Sequence, residues 1–360
     1  MKKKRHREAF SMKSSAGFFD EGERREKLSK LGDPLVRLNG LIEWEMFRPE
    51  LSRMHEHERK SLAGRKPLDV VLMFKILILQ RLHNLSDDQT EFMIRDRASF
   101  QRFLGLHVEH GSPDAKTIWK FRERLGELNL TRDLFFRFDE HLNERGFTAK
   151  GGQIIDATIV EVPRQRNTRE ENALIKDGTV PPEWEDQPNK LAQKDLDACW
   201  TKKRGETYYG YKNHVNVDEK SKLIRDYTVT DAAVHDSVVM EDIIDLRTTD
   251  RPVYADSAYR SQEREEAFAA CGIESRIHER QHRNAPLSEE QKAANREKSR
   301  IRVRVEHVFG IMHTSMNRAM FLRCIGSARA CSVLGLVNLT HNLLRYVQIV
   351  APRRSRVAVR

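Results

Sequence analysis

Three acidic side chains stand where acids are rarely placed without a task. Asp156 lies in Ile154-Ile155-Asp156-Ala157 and Asp256 in Val253-Tyr254-Ala255-Asp256-Ser257, two apolar, partly β-branched runs that read as strands. A strand holds a carboxylate rigidly, as a metal site requires. Taken singly, the plain reading of each is an ordinary strand-end or turn aspartate, ahead of a functional one. Glu306 belongs to a helical pattern over 299–312, where Ile301, Val305, Val308, Phe309 and Met312 form one apolar face and Arg302, Glu306 and His313 a neighbouring stripe. The plain reading of that stripe is an i,i+4 Arg–Glu pair worth about 0.2–0.5 kcal/mol. Yet Glu306 is the only acid in the last sixty residues, which hold ten arginines, and Arg302, Arg304 and His307 border it. Three convergent carboxylates would bind two Mg2+ ions, with Mn2+ as a substitute, because hard cations take oxygen ligands. Two such ions roughly 3.5–4 Å apart clamp the attacking and leaving oxygens of an in-line phosphoryl displacement. Nearby cations would then hold DNA phosphates, Arg302 and Lys212 being the best placed.

The 360 residues allow two or three domains, and 33% of them are charged, for a formal net charge of +10. Residues 1–150 hold 30 basic and 24 acidic side chains, whereas 151–250 hold 14 and 20. Basic flanks around a carboxylate-rich middle suit a polyanionic partner. Cys199, Cys271, Cys324 and Cys331 show neither C-x-x-C nor zinc spacing, which points to a reducing cytosol and a cytoplasmic location. The longest apolar run, 70–79, contains Lys75 and is half the length of a membrane span. No apolar region follows the basic Met1-Lys2-Lys3-Lys4-Arg5, so no secretory signal is expected.

The elements that must carry the acids change texture at Gly151-Gly152. Residues 1–34 read as a basic mobile arm and 35–150 as a helical DNA-binding and assembly region. A helix apolar all round should start at Pro67, and Ser86-Asp87-Asp88-Gln89 should cap the next. Behind Ser112-Pro113, a basic helix carries Lys116, Lys120, Arg122 and Arg124 and is a candidate recognition helix, though amphipathic basic helices also occur without DNA. Trp119 reads as its core. Beyond Gly152, strands are expected at 153–160, 207–217, 223–230, 252–256 and 272–277, with helices over 234–246, 260–271, 295–318 and 327–349. Residues 161–200, with Pro163, Pro181, Pro182 and Pro188, form a long polar excursion in which Trp184 is the most exposed aromatic. Tyr208, Tyr209 and Tyr211 share a strand with Lys212 and His214, which would face DNA. Residues 350–360 read as a basic, solvated tail.

Taken in order, these motifs resemble the DDE transposases of bacterial insertion sequences, of the insertion-sequence-five type, over about residues 64–347. Gly152, Asp156, Ala157 and Thr158 match the first-Asp context Gly-x-x-x-Asp-Ala-Thr. Trp200-Thr201-Lys202-Lys203 and Tyr209-Gly210-Tyr211-Lys212-Asn213-His214 look like the family's second and third strands. Val229-Thr230-Asp231-Ala232-Ala233-Val234-His235-Asp236 resembles its Val-Thr-x-Ala-x-Val-His-Asp segment. Tyr254-Ala255-Asp256-Ser257-Ala258-Tyr259 matches the second-Asp motif, and Arg302 with Arg304-Val305-Glu306-His307-Val308-Phe309-Gly310 the Glu motif. The resemblance implies an RNase H-like α/β fold, a mixed five-stranded sheet flanked by helices and preceded by an all-helical N-terminal region. The catalytic domain would span 151–349. It further implies nicking at terminal inverted repeats, attack of the 3′-hydroxyl on target double-stranded DNA, and a homodimer on DNA. Arg304 joins the expected DNA contacts. His313 stands where many relatives carry Lys or Arg, seven residues after the Glu.

Two other readings compete. His278-Glu279-Arg280-Gln281-His282 spells the zinc-peptidase motif H-E-x-x-H, but its arginine neighbours and nearby Pro286 oppose the amphipathic helix such a site needs. A sequence-specific DNA-binding protein without cleavage activity, a decayed or domesticated transposase, explains the charge and leaves Asp156 and Asp256 without purpose.

Overall fold

Helices fill the first half of the chain because apolar residues recur there at helical spacing and side chains cap the helix starts. The computed structural model describes residues 22, 26, 27, 29–55, 67–106, 111–147, 151–246, 251–281 and 286–352; most of the expected arm and tail, and His282, lie outside them. Helices α1 (Pro34–Leu41) and α2 (Arg48–Ser52) lead to α3 (Val70–His83), which is buried on every side. Asp69 caps α3 by accepting from Leu72 N at 2.9 Å, so the helix begins at Val70 and Pro67 falls outside its first turn. Helix α4 (Asp87–Asp96) opens with the expected reciprocal cap between Ser86 and Gln89. Beyond α5 (Ala98–Leu104) comes the basic helix α6 (Ala115–Glu127), capped by Asp114 and not by Ser112, whose hydroxyl accepts from Arg95. Its buried face is Ile118, Phe121 and Leu125; Trp119 is exposed, against expectation, because it falls on the opposite side of the helix. Helix α7 (Leu130–Glu144) completes the helical region.

The sheet is built around β1 (Gln153–Glu161). Strand β3 (Glu206–Asp218) runs antiparallel to it on one side and β5 (Val253–Tyr254) parallel on the other. The far edge of β3 carries β4 (Ile224–Asp231) opposite 211–217 and β2 (Cys199–Lys203) opposite 206–210. The expected fifth strand at 272–277 is reduced to a parallel bridge from Ser275 to Val253. Antiparallel neighbours on one side of β1 and parallel ones on the other make this an RNase H-like sheet. The excursion after β1 folds into α8 (Arg169–Lys176), α9 (Pro182–Glu185) and α10 (Pro188–Leu191). It closes over Trp184, which is fully buried and donates Nε1–H to Glu171 at 2.7 Å, with Lys190 and Lys194 over its ring. The expected exposure of Trp184 is thus reversed: the polar excursion makes its own small core. After β4 the chain forms only a 3-10 turn (Asp236–Val239) and the short α11 (Met240–Ile243), less than the helix expected over 234–246.

Helices α12 (Gln262–Ala270), α13 (Glu289–Arg302), α14 (Arg304–Thr314) and α15 (Ser327–Val350) follow. Helix α15 is buried along most of its length and packs against α3, α6, α7 and β4 at once. One apolar core therefore runs from Leu35 through the sheet to Val347. Buried amides set the register of α15 on the sheet. Asn338 and Asn213 exchange hydrogen bonds of 2.9 and 3.1 Å, and Asn342 brackets the backbone of Ile224. The other face of the sheet holds a smaller cluster of Ile155, Met240, Ile243, Val253, Tyr259 and Phe268.

Two outcomes test this packing. A Cβ on Gly335 would stand 2.4 Å from Tyr227 Oη and 2.6 Å from Thr131 Cγ2. Gly335→Ala should destabilise by about 1–3 kcal/mol in denaturant titration, whereas open space would let helix propensity stabilise it by up to about 1 kcal/mol. His341, buried with its ring bonded to the Lys222 carbonyl, has its pKa lowered to about 4 by burial. The unfolded chain therefore binds a proton that the folded chain refuses between pH 6.5 and about 4. Stability should fall as pH drops through that window, by at most about 1.4 kcal/mol per pH unit, and His341→Gln should flatten this part of the profile.

Candidate active site

Pairing on both edges fixes β1, and Asp156 sits in its middle opposite Val215 of β3. On the other edge the last pair with β5 is Ile154 and Tyr254; Asp156 and Asp256 each lie two residues farther on, where the parallel strands part. Ligands of α/β proteins bind where strand ends diverge in this way.

Asp156 is 8% exposed. Its Oδ2 accepts from Arg302 Nη1 at 2.6 Å and its Oδ1 from Ala157 N at 2.8 Å. Burial pushes its pKa up to about 6; the Arg302 guanidinium and the Ala157 N–H oppose that, and the negative charges of Asp256 and Glu306 add to it. The charges of Asp256 and Glu306 therefore reach Asp156. Asp256 is half-buried and caps the 3-10 turn 257–259 by accepting from Ala258 N at 2.7 Å. Glu306 is exposed in the first turn of α14.

The continuous helix expected over 299–312 divides at Val303, where the backbone tightens to an i,i+3 bond from Glu306 N to the Val303 carbonyl. Arg302 thus ends α13 and turns to Asp156, and the expected Arg302–Glu306 helix pair does not form. Arg304 is held by Glu219 at 2.8 Å. Val305, Val308, Phe309 and Met312 are buried as expected, while His313 is exposed.

Of the other expected DNA contacts, Lys116 and Lys120 are exposed on α6. Arg122 is bidentate to Asp87, with its Nη2 at 3.0 Å from Oδ2, and Arg124 lies 3.3 Å from Glu127. Lys212 points to the Val234 carbonyl and the Asp236 carboxylate, both at 2.7 Å. His214 is a correction: it is fully buried against Thr230 at 3.0 Å, burial lowers its pKa to about 4, and it reaches no surface. The H-E-x-x-H run is extended and not helical at 278–281, and Glu279 is engaged by Arg260 and Lys298. His282 lies outside the described residues.

Two groups at the site went unassigned in the sequence. Among the described residues the Tyr259 hydroxyl is buried without a hydrogen-bond partner, and burial followed by the charges of Asp156, Asp236 and Asp256 raises its pKa. His278, attributed above only to the zinc motif, bonds the Ala255 carbonyl through its backbone N–H and feels both Arg302 and Asp256. The only available signal for Tyr259 was its place three residues after Asp256.

An all-carboxylate donor set suits a hard divalent cation. Among the described residues, however, no group of three His, Cys, Asp or Glu side chains is gathered closely enough to hold an ion. Arg302 is the cation that balances Asp156 in this arrangement. Also among the described residues, no helix is long and apolar enough to cross a membrane.

Comparison with known proteins agrees with this architecture. Residues 148–343 match the family model described as "Transposase DDE domain", and residues 23–124 match "Transposase domain (DUF772)". Among solved structures, the piggyBac transposase synaptic complex with hairpin DNA is 11% identical with a TM-score of 0.35, covering 90% of this chain and 83% of that one; a likeness so distant bears no weight. The DDE match alone spans more than half of the sequence, so the chain belongs to the DDE transposases.

Proposed function

We propose that this chain nicks DNA at the ends of its insertion sequence and joins the freed 3′-hydroxyl to target DNA, with Asp156, Asp256 and Glu306 as the ligands of Mg2+, or of Mn2+ in its place. The supporting observation is the buried Asp156 carboxylate on β1, with Asp256 just beyond the end of the adjoining β5 and the charges of both Asp256 and Glu306 reaching it. Bound there, the metal would supply activation of a water or 3′-hydroxyl and charge stabilisation of the leaving oxygen. Two-sided strand pairing keeps Asp156 from yielding to substrate. Arg302 neutralises Asp156 in the free protein, and its planar guanidinium would be released to a phosphate only where a divalent cation balances Asp156 in its place. Lys116 and Lys120 offer exposed charge to duplex phosphates at the terminal inverted repeats. Joining two ends at once calls for two copies of the chain on DNA.

Strand cleavage of the element's own terminal DNA in Mg2+ tests the assignment. Asp156→Ala and Glu306→Gln should each lower nicking by about 10²–10³-fold or more while DNA binding persists. Retained nicking would remove the altered residue from the site, and binding without cleavage by wild type would favour the decayed-transposase reading. The triple change Lys116→Ala, Lys120→Ala and Arg124→Ala should lessen the slope of log K against log salt by about 2.7, at about 0.9 per phosphate contact. An unaltered slope would move the DNA contact off α6.

A further inference from the structure

The hairpin of β2 and β3 has no assigned role, yet it concentrates charge beside the catalytic strand. Its two-residue turn, Arg204-Gly205, has φ of +52° and +89°, the left-handed pair that makes a tight, right-twisted hairpin. The register confirms the closure: Lys203 faces Glu206 and Cys199 faces Gly210. Strand β1 ends opposite Gly210, so the ribbon continues past it by four residues of β3, about 14 Å.

Lys202, Lys203 and Arg204 are exposed, and among the described residues no side-chain hydrogen bond or ion pair engages them. Arg164 adds a fourth cation; it donates to the Thr207 carbonyl at 3.1 Å and lies 5.8 Å from the centre of the Trp200 ring. Trp200 is 42% exposed and packs on Tyr209. The one acid on the ribbon, Glu206, accepts from Tyr208. Alternation puts Lys203, with Glu206 opposite it, on one face and Lys202 on the other, so each face carries a cation. A cavity of about 140 Å³ beside the ribbon is lined by Lys202, Lys203, Lys212, Asp236 and Thr158, the last only two residues from Asp156.

We infer that this hairpin is a duplex-DNA-binding ribbon that grips the phosphates flanking the strand presented to Asp156. The inference rests on the transposase reading above and adds a surface to it. A two-stranded ribbon fits a major groove about 12 Å wide. Cations on both faces meet the phosphates on either side of that groove, and the rigid turn spares the ordering that a loop would require on binding.

The test is salt-dependent binding of a terminal-repeat duplex, without Mg2+, by wild type and by the triple variant Lys202→Gln, Lys203→Gln and Arg204→Asn, the last chosen because Asn tolerates a positive φ. Three lost contacts should lessen the log–log slope by about 2.7, with thermal unfolding unchanged. An unaltered slope beside a steep wild-type slope overturns the ribbon assignment while leaving the transposase reading intact. Wild type that binds no duplex at any salt concentration overturns both. Should the triple variant unfold early, Lys203→Gln alone, on a strand position that any residue can adopt, should lessen the slope by about 0.9, and no change would again overturn the assignment.

Discussion

A carboxylate buried in the middle of a sheet has to be balanced, and the balance of Asp156 organises this molecule. Taking an ion out of water is opposed by several kcal/mol of desolvation, and here Asp256 and Glu306 add like charge from nearby. Arg302 offsets both. Leaving such a pair with one partner removed typically destabilises by about 3–5 kcal/mol, whereas an apolar replacement of the whole pair is often neutral. A chain shaped by stability alone would therefore have no reason to keep it. The break at Val303 serves the same demand: one straight helix would put Arg302 and Glu306 on a common stripe, but dividing it lets Arg302 reach the sheet while Glu306 stays exposed to solvent.

Helix α15 makes that arrangement rigid. It is the shared wall of the helical region and the sheet, so α6, which would meet DNA, and β1, which carries Asp156, pack within one continuous core. Leucines and valines supply the burial, but they would tolerate sliding by a turn. The Asn213–Asn338 and Asn342–Ile224 bonds would not, because a shifted register would bury unpaired amides. Gly335 lets Tyr227 and Thr131 approach the helix at one point of closest contact.

Much of this was legible in the sequence where a single local signal decided the matter. The β-branched run around Asp156, the all-apolar α3 and the Ser86–Gln89 cap each formed as their spacing foretold. Each of the three acids breaks a pattern in the sequence: an aspartate in a strand-like run, or a lone acid in a basic tail. Features decided by distant partners were hidden. Composition calls 161–200 a loop, and nothing local reveals that Glu171 will satisfy the Trp184 indole and so let it be buried. Lys212 and His214 look like exposed cations on an alternating strand until Asp236 and Thr230 are brought over them. A helical pattern carries no mark of a tightened turn at Val303. The orphan hydroxyl of Tyr259 exists only in three dimensions.

Charge shows the same division. The formal +10 describes the sequence, but many of its cations are spoken for internally: Arg122 by Asp87, Arg302 by Asp156, Arg304 by Glu219 and Lys212 by Asp236. These pairs hold elements together and present little field to an incoming polyanion. A phosphate is drawn by cations that lack such partners, since replacing an existing carboxylate contact gains little. Exposed, unengaged cations on the described surface include Lys116 and Lys120 of α6 and Lys202, Lys203 and Arg204 of the β2–β3 hairpin, and neither group is where the charge count along the chain is most lopsided. The free energy of DNA binding thus depends on which cations the fold leaves unpaired, a property of tertiary structure that no running sum of charge along a sequence contains.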